Sequence, residues 1–209
     1  MESYQKLIEN NKNWVKQKLD LDPNFFADLA SEHKPEFLWI GCSDSRVPAD
    51  QITNTKPGQI FVHRNIANLV VHTDINLLSV LHYAVDVLKV KHVIVCGHYE
   101  CGGIAAAMSN KSFGFIDNWL TNIKDVYRLY QAELDAIPSI RERQRRLVEI
   151  SVIEQVNNLS KTSVIQEAWK RNNMPVLHGW VYDVGDGLIH DLNVMRSDTN
   201  EVQNIYIFD

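Results

Sequence analysis

The stretch WIGCSDSR, residues 39–46, places an apolar run directly before a cysteine, an aspartate and an arginine. A second stretch, VIVCGHYECGG at residues 93–103, repeats the arrangement with apolar residues, a glycine, and then a histidine and a cysteine. Short continuous apolar runs are typical of strands that are buried on both faces. Each run therefore predicts a buried strand whose carboxyl end carries reactive side chains.

Further strands and helices alternate along the chain. GQIFVHRN at residues 58–65 predicts another strand, and residues 75–88, with Asp74 as a candidate N-cap, have apolar side chains at helical spacing. Residues 116–172 have a mostly helical pattern, and residues 175–194 predict a hairpin with GDG as its turn. This order predicts an α/β fold, with a mainly parallel β-sheet flanked by helices and an antiparallel edge strand.

The length of 209 residues predicts a single domain, residues 1–209, that includes an N-terminal helical arm over residues 1–30. An amphipathic helix at residues 3–18 needs a surface on which to bury Leu7 and Trp14. We expect that surface to belong to a second subunit, and packing on the same subunit is the alternative.

Composition bears on location and partners. A net charge of -5 argues against nucleic acid as the main partner, and we expect the basic cluster RERQRR at residues 141–146 to be a solvated helix face. No apolar stretch reaches the ~20 residues that span a bilayer, and the first residues lack the apolar core of a signal peptide. Three cysteines, an odd number, favour thiols or metal ligation over disulfides. We therefore expect a cytoplasmic protein without a membrane partner.

The two opening stretches are expected to meet in space. Ligands of open α/β sheets bind beyond the carboxyl ends of the strands, so neighbouring parallel strands would bring Cys42 and Asp44 to His98 and Cys101. Each residue alone is more often structural, and it is their joint placement that indicates a site. Two thiolates, an imidazole and a carboxylate suit zinc. Cys96 lies within the strand and is expected in the core.

CSDSR, followed about fifty residues later by GHYECGG, resembles the β-class carbonic anhydrases. The similarity extends over roughly residues 35–192 and includes FVHRNIAN and HGWVYDV. It implies a zinc enzyme that interconverts carbon dioxide and bicarbonate, built as dimers or dimers of dimers. It also implies one zinc ion per chain on Cys42, His98 and Cys101, with Asp44 either on the metal or paired with Arg46.

The resemblance implies roles for neighbouring residues as well. Asp44, gripped by the Arg46 fork, would orient the attacking hydroxide through a hydrogen bond. The two glycines directly after Cys101 allow a tight turn near the metal, and a backbone N–H there could bind a substrate oxygen. By the family pattern, three side chains form the wall of an apolar substrate pocket, for which ordinary core packing is the alternative. These glycines and pocket residues are Gly102, Gly103, Phe61, Ile66 and Tyr83.

One subset of the family has a second, non-catalytic bicarbonate site, made of a tryptophan, an arginine and a tyrosine. Trp39, Arg64 and Tyr182 match its motif. The match implies allosteric inhibition by bicarbonate and by low pH, with Asp44 locked onto the metal. The alternative is that Trp39 and Tyr182 are core aromatics and Arg64 forms an interface ion pair.

Two other functions share these metal ligands and stay open. One is a non-catalytic zinc protein that senses bicarbonate. The other is a hydrolase for carbon disulfide or carbonyl sulfide on the same fold. Nucleotide binding is disfavoured because neither G-x-G-x-x-G nor G-x-x-x-x-G-K-[ST] occurs in the sequence.

Overall fold

The computed structural model describes residues 2–31 and 33–208. The chain divides into two compact units, Met1–Lys34 and Pro35–Asp209. The helices are α1 Ser3–Leu21, α2 Phe25–Ser31, α3 Ala49–Thr53, α4 Ile75–His82, α5 Gly102–Ala107, α6 Asp117–Leu129, α7 Gln131–Asp135, α8 Ile140–Ser160 and α9 Ser163–Asn172. The strands are β1 Phe37–Cys42, β2 Ile60–Asn65, β3 His92–His98, β4 Val176–Tyr182 and β5 Ile189–Arg196.

The N-terminal unit contains α1 and α2. The rings of Trp14, Phe25 and Phe26 pack edge to face, with centroids 5.0 to 6.2 Å apart. Other apolar side chains of α1 are largely exposed, and Leu7 keeps 70% of its surface accessible. The unit therefore has a small aromatic cluster of its own and an uncovered apolar face on α1.

The second unit is built on a five-stranded sheet in the order β2-β1-β3-β4-β5. The first four strands in this order are parallel, and β5 runs antiparallel to β4 at the edge. Asp74 caps α4 as expected, because its side chain accepts hydrogen bonds from the N–H groups of Asn76 and Leu77. The predicted fold class is confirmed.

The two faces of the sheet are covered unequally. The main apolar core fills one face, where α8 packs on β3 and β4 through side chains such as Val148 and Val152. A smaller cluster of Trp39, Ala49, Ile94 and Cys96 covers part of the other. Cys96 is buried in that cluster, as expected for a core residue.

The centre of the sheet positions the predicted site. β1 and β3 are direct neighbours, with Phe37 opposite His92 and Gly41 opposite Cys96. Because they are parallel, their carboxyl ends lie at one edge of the sheet. Apart from the partly buried first residue of each, both strands are buried throughout, as their continuous apolar sequences predict. None of the helices in the described ranges is long and apolar enough to cross a membrane.

Candidate metal centre

Three donor side chains converge at the carboxyl edge of the sheet. Cys42 ends β1, His98 ends β3, and Cys101 is the N-cap of α5. Their ligand atoms all lie within 4.8 Å of one another, and all three residues are buried. The two sulfur atoms are 4.0 Å apart. The sequence-predicted cysteines and histidine are therefore brought together, at a spacing that one ion can bridge.

The imidazole of His98 is oriented toward this cluster by its own neighbour. Nδ1 donates a hydrogen bond to the Tyr99 carbonyl at 2.9 Å, so Nε2 is the ring nitrogen available as a ligand atom. Nε2 is buried and has no hydrogen-bond partner among the described residues. Buried polar atoms nearly always have a partner, so an unpaired nitrogen beside two thiols fits a metal ligand.

The two thiols are in different electrostatic situations. A hydrogen bond from Cys101 lowers the pKa of Cys42 to about 4, against the opposing effect of burial. The same contact, with burial, raises the pKa of Cys101 above its usual range. The contact therefore favours ionisation of Cys42 before Cys101. A thiolate, a thiol that a divalent cation can deprotonate and a free imidazole nitrogen together form a donor set that suits zinc.

A strained loop after β2 supports the Cys42 sulfur. The Ala67 N–H donates to Cys42 Sγ at 3.4 Å, and Ala67 and Asn68 have φ values of 64° and 48°, in the left-handed region. The Asn65 side chain closes the loop by accepting from the Leu69 N–H at 2.7 Å and donating to the Leu69 carbonyl at 2.8 Å. Sequence reasoning missed these supports. The signal was NIAN, which follows β2 at the same sheet edge.

Asp44 and Arg46 form the predicted pair beside the donors. Arg46 donates from Nε to Asp44 Oδ1 at 2.9 Å and from Nη2 to Oδ2 at 2.6 Å, and its backbone N–H adds a bond at 2.9 Å. The guanidinium holds the pKa of the Asp44 carboxyl well below its usual range. Asp44 Oδ2 lies 3.8 Å from His98 Nε2, next to the three donors rather than among them. Its role as a fourth ligand stays a prediction.

Gly102 and Gly103 begin α5, immediately after Cys101. A Cβ atom on Gly103 would lie 3.0 Å from Ile66 Cγ2 and 3.2 Å from Ala67 Cβ. A Cβ on Gly102 would meet nothing within 4 Å. Ile66 is therefore close to the donors, and Gly103 is required for a close approach.

The other two pocket residues lie elsewhere in the same chain. The rings of Phe61 and Tyr83 pack together with their centroids 5.8 Å apart. Phe61 is opposite Leu38, four residues before the strand ends where Cys42 faces Asn65. At about 3.3 Å per residue this places Phe61 roughly 13 Å from that edge along the strand. Phe61 and Tyr83 therefore do not line the donor cluster of the same chain, and their assignment to the substrate pocket stays a prediction.

Trp39, Arg64 and Tyr182 share one face of the sheet. Gly41, two residues after Trp39, lies opposite Arg64 on β2 and opposite Cys96 on β3. His98, two residues after Cys96, lies opposite Tyr182 on β4. Arg64 donates from Nε to the Cys42 carbonyl at 2.8 Å and from Nη2 to the Asp44 carbonyl. Arg64 thus holds the backbone on both sides of the turn that carries Cys42 and Asp44. Bicarbonate binding by these residues stays a prediction.

Comparison with known proteins agrees with this geometry. Residues 37–189 match the family model described as carbonic anhydrase. The chain is 48% identical to a carbonic anhydrase of Emericella nidulans over 98% of its own length and 90% of the relative's. A tetrameric β-carbonic anhydrase of Sordaria macrospora superposes with a TM-score of 0.89 at 41% identity, covering 93% of this chain and 98% of that one. A β-carbonic anhydrase of Coccomyxa, solved with acetazolamide, gives 0.91 at 35% identity, covering 96% and 91%. The chain belongs to the β-class carbonic anhydrases.

Proposed function

We propose that this protein is a zinc-dependent carbonic anhydrase, a lyase that reversibly hydrates carbon dioxide to bicarbonate and a proton. One zinc ion per chain is held by Cys42, His98 and Cys101. The observation that carries the proposal is the buried, unpaired His98 Nε2 beside two thiols 4.0 Å apart. Family membership supplies the reaction, and the donor cluster supplies a place for the metal.

A zinc ion supplies an attacking hydroxide near neutral pH by lowering the pKa of a bound water, an effect for which carbonic anhydrases are themselves the usual example. Asp44 is ionised, and three hydrogen bonds from Arg46 fix its position. Its carboxylate can therefore accept a hydrogen bond from the nucleophile without reorienting. Gly102 leaves open space on its side of the α5 start. Together these residues orient the nucleophile and leave room for a small apolar substrate.

We propose in addition that bicarbonate inhibits the enzyme at Trp39, Arg64 and Tyr182. The shared sheet face supports this proposal, as does the grip of Arg64 on the Asp44 carbonyl. An anion that binds Arg64 would weaken its hydrogen bond to the Asp44 carbonyl, and Asp44, once released from Arg46, would serve as a fourth ligand to a bound zinc ion. Low pH would favour this closed form because less hydroxide would compete with Asp44. The closed form must then bind bicarbonate more tightly by the same factor.

The assembly we propose is a homo-oligomer, a dimer or a dimer of dimers. The exposed apolar face of α1 supports it, since Leu7 and its neighbours lack a covering surface within the N-terminal unit. The Sordaria macrospora relative is tetrameric. A cytoplasmic location belongs to the same proposal and rests on the use of the three cysteines.

Stopped-flow carbon dioxide hydration on zinc-assayed protein tests the function, from about pH 6.5 to about 9, with and without added bicarbonate. We expect activity that rises with pH and falls cooperatively with bicarbonate. Activity without cooperative inhibition would remove only the bicarbonate site, and Trp39→Val should abolish such inhibition where it occurs. Zinc-loaded protein that is inactive at every pH would overturn the reaction. It would point instead to the bicarbonate-sensing module, or to a carbon disulfide or carbonyl sulfide hydrolase.

A further inference from the structure

The basic cluster of α8 includes side chains that are not solvated charges, among them Arg143, which keeps 24% of its side chain accessible, and Arg145. Arg141 keeps 78% of its side chain accessible, as expected for an exposed helix face, whereas Arg145 keeps only 29%. Arg145 points toward the turn between the two donors of β3 and α5, His98 and Cys101.

Arg145 contacts both residues of that turn. Its guanidinium carbon lies 3.5 Å from the centroid of the Tyr99 ring, and its Nη1 lies 3.5 Å from Glu100 Oε1. Stacking and ion pairing of this kind use the flat, permanently charged guanidinium. Arg145 is thus one side chain that contacts both residues between the His98 and Cys101 donors.

A third contact anchors Arg145 from the other side. Its Nη2 donates to Asp183 Oδ2 at 2.7 Å, just beyond the end of β4. The neighbouring Tyr182 carbonyl accepts from the Tyr99 N–H at 3.0 Å, which ties the turn to β4 as well. Arg145 therefore fixes the turn between two rigid elements, α8 and β4.

The turn needs such a restraint for two reasons. Glu100 has a φ of 58°, a left-handed conformation that is unfavourable for a residue other than glycine. The Tyr99 carbonyl is also the acceptor that orients the His98 ring, so movement of Tyr99 would turn the imidazole away from the thiols. Both donors depend on the backbone of Tyr99 and Glu100, the two residues whose side chains Arg145 contacts.

We propose that Arg145 is a positioning residue for the metal centre, acting through Tyr99 and Glu100 to set the relative placement of His98 and Cys101. This inference rests on the proposed metal site. Groups that orient metal ligands in this way typically affect metal affinity by about 10–100-fold when they are removed.

The test compares Arg145→Ala with Arg141→Ala, which removes another Glu100 ion pair from the same helix but leaves the contacts of Arg145 to Tyr99 and Asp183 in place. Zinc affinity is measured by competition with a chromophoric chelator, and the Co²⁺-substituted proteins are compared by their thiolate-to-metal charge-transfer and d–d bands. We expect Arg145→Ala to bind zinc about 10–100-fold more weakly, with altered cobalt bands. Arg141→Ala should stay within about twofold, because exposed ion pairs contribute little.

Further variants separate positioning from stability. Arg145→Lys, which keeps the charge but loses the planar stack, should recover part of the affinity. Asp183→Asn, which frees the far end of Arg145, should lose part of it, and both serve if Arg145→Ala does not fold. The inference would be overturned if the variants fold and show the zinc affinity and cobalt bands of the parent. This holds even if the variants are less stable than the parent. A parent protein that binds neither metal would instead overturn the proposed function.

Discussion

Gly103 has little room for a side chain, because an added Cβ would press on Ile66 and Ala67. Gly103→Ala should push this loop, and with it the Ala67 N–H, away from Cys42 Sγ. We expect the free energy of unfolding to fall by about 1–3 kcal/mol, as for other overpacked sites, and hydration activity to fall with it. Urea denaturation and stopped-flow assays measure the two effects.

Gly102→Ala is the matched control for that variant. It lies one residue earlier in α5, and its Cβ would meet nothing within 4 Å. We expect stability unchanged or raised by about 0.4–1 kcal/mol, because alanine restricts the unfolded chain. An equal fall in the free energy of unfolding of the two variants would show that close packing against Ile66 and Ala67 is not the reason for the glycine at residue 103.

Arg46 acts on Asp44 through geometry as well as charge. Arg46→Lys keeps the positive charge but cannot make the two parallel bonds to the carboxylate. Losing one charge-assisted hydrogen bond, worth about 1.5–3 kcal/mol, should lower kcat roughly tenfold or more. Zinc content should stay unchanged because Arg46 is not one of the proposed metal ligands. Ser45→Ala, an exposed neighbour, should behave as the parent, and full activity in Arg46→Lys would count against the orienting role of Asp44.

At the scale of elements, the partly buried hydroxyl of Tyr130 joins α8 to the helices before it. Tyr130, at the junction of α6 and α7, donates to Glu154 Oε1 at 2.7 Å. Burial, and then the bond to this carboxylate, raise the pKa of Tyr130 to about 12. The folded pKa is above the unfolded value of about 10, so this stabilisation is complete below pH 10 and is lost as the pH rises toward 12.

Tyr130→Phe should therefore reduce the loss of stability at alkaline pH. We expect the free energy of unfolding to fall less between about pH 9 and about pH 11.5 in the variant than in the parent. Urea denaturation at both pH values measures the difference, and Tyr4→Phe on the exposed first helix should leave it unchanged. An identical fall in parent and Tyr130→Phe would show that this phenol does not stay protonated in the folded protein.

The elements also show what the sequence could and could not predict. The continuous apolar runs ending at Cys42 and His98 were sufficient to predict two buried neighbouring strands, because a parallel sheet has few other ways to bury them. The convergence of Cys42, His98 and Cys101 followed from the rule for strand ends. These predictions depend on apolar patterns and strand order, both of which can be inferred from the sequence.

Other features depend on packing between segments that are distant in the sequence, so a local pattern such as NIAN does not specify them. The left-handed Ala67 and the closing bonds of Asn65 are set by the space beside Gly103. Arg145 was expected to face solvent, since a charge cluster on a helix does not reveal which member lies over Tyr99. Phe61 and Tyr83 were assigned by family pattern alone, and this chain places Phe61 within β2 and Tyr83 directly after α4 rather than at its own donors.

At the scale of the whole molecule, the proposed oligomer depends on the apolar face of α1. Leu7 and Ile8 are exposed there, at 70% and 58% of their surface. Leu7→Glu with Ile8→Glu should weaken the assembly, because each buried charge would lose its hydration. We expect sedimentation equilibrium to report a smaller species than the parent. Asn13→Glu, on the opposite side of the helix, should assemble normally, and a double variant of parental mass would exclude this face from the interface.

Zinc K-edge X-ray absorption spectroscopy of the purified protein tests the central claim most directly, since it reads the donor set rather than its consequences. The account predicts about one zinc per chain with two sulfur neighbours at about 2.3 Å and nitrogen or oxygen neighbours at about 2.0–2.1 Å. Cys42→Ser should lose one sulfur neighbour or the metal, while Cys96→Ser should keep both sulfur neighbours. Protein without zinc, or zinc with no sulfur neighbour, would contradict a centre built from Cys42, His98 and Cys101.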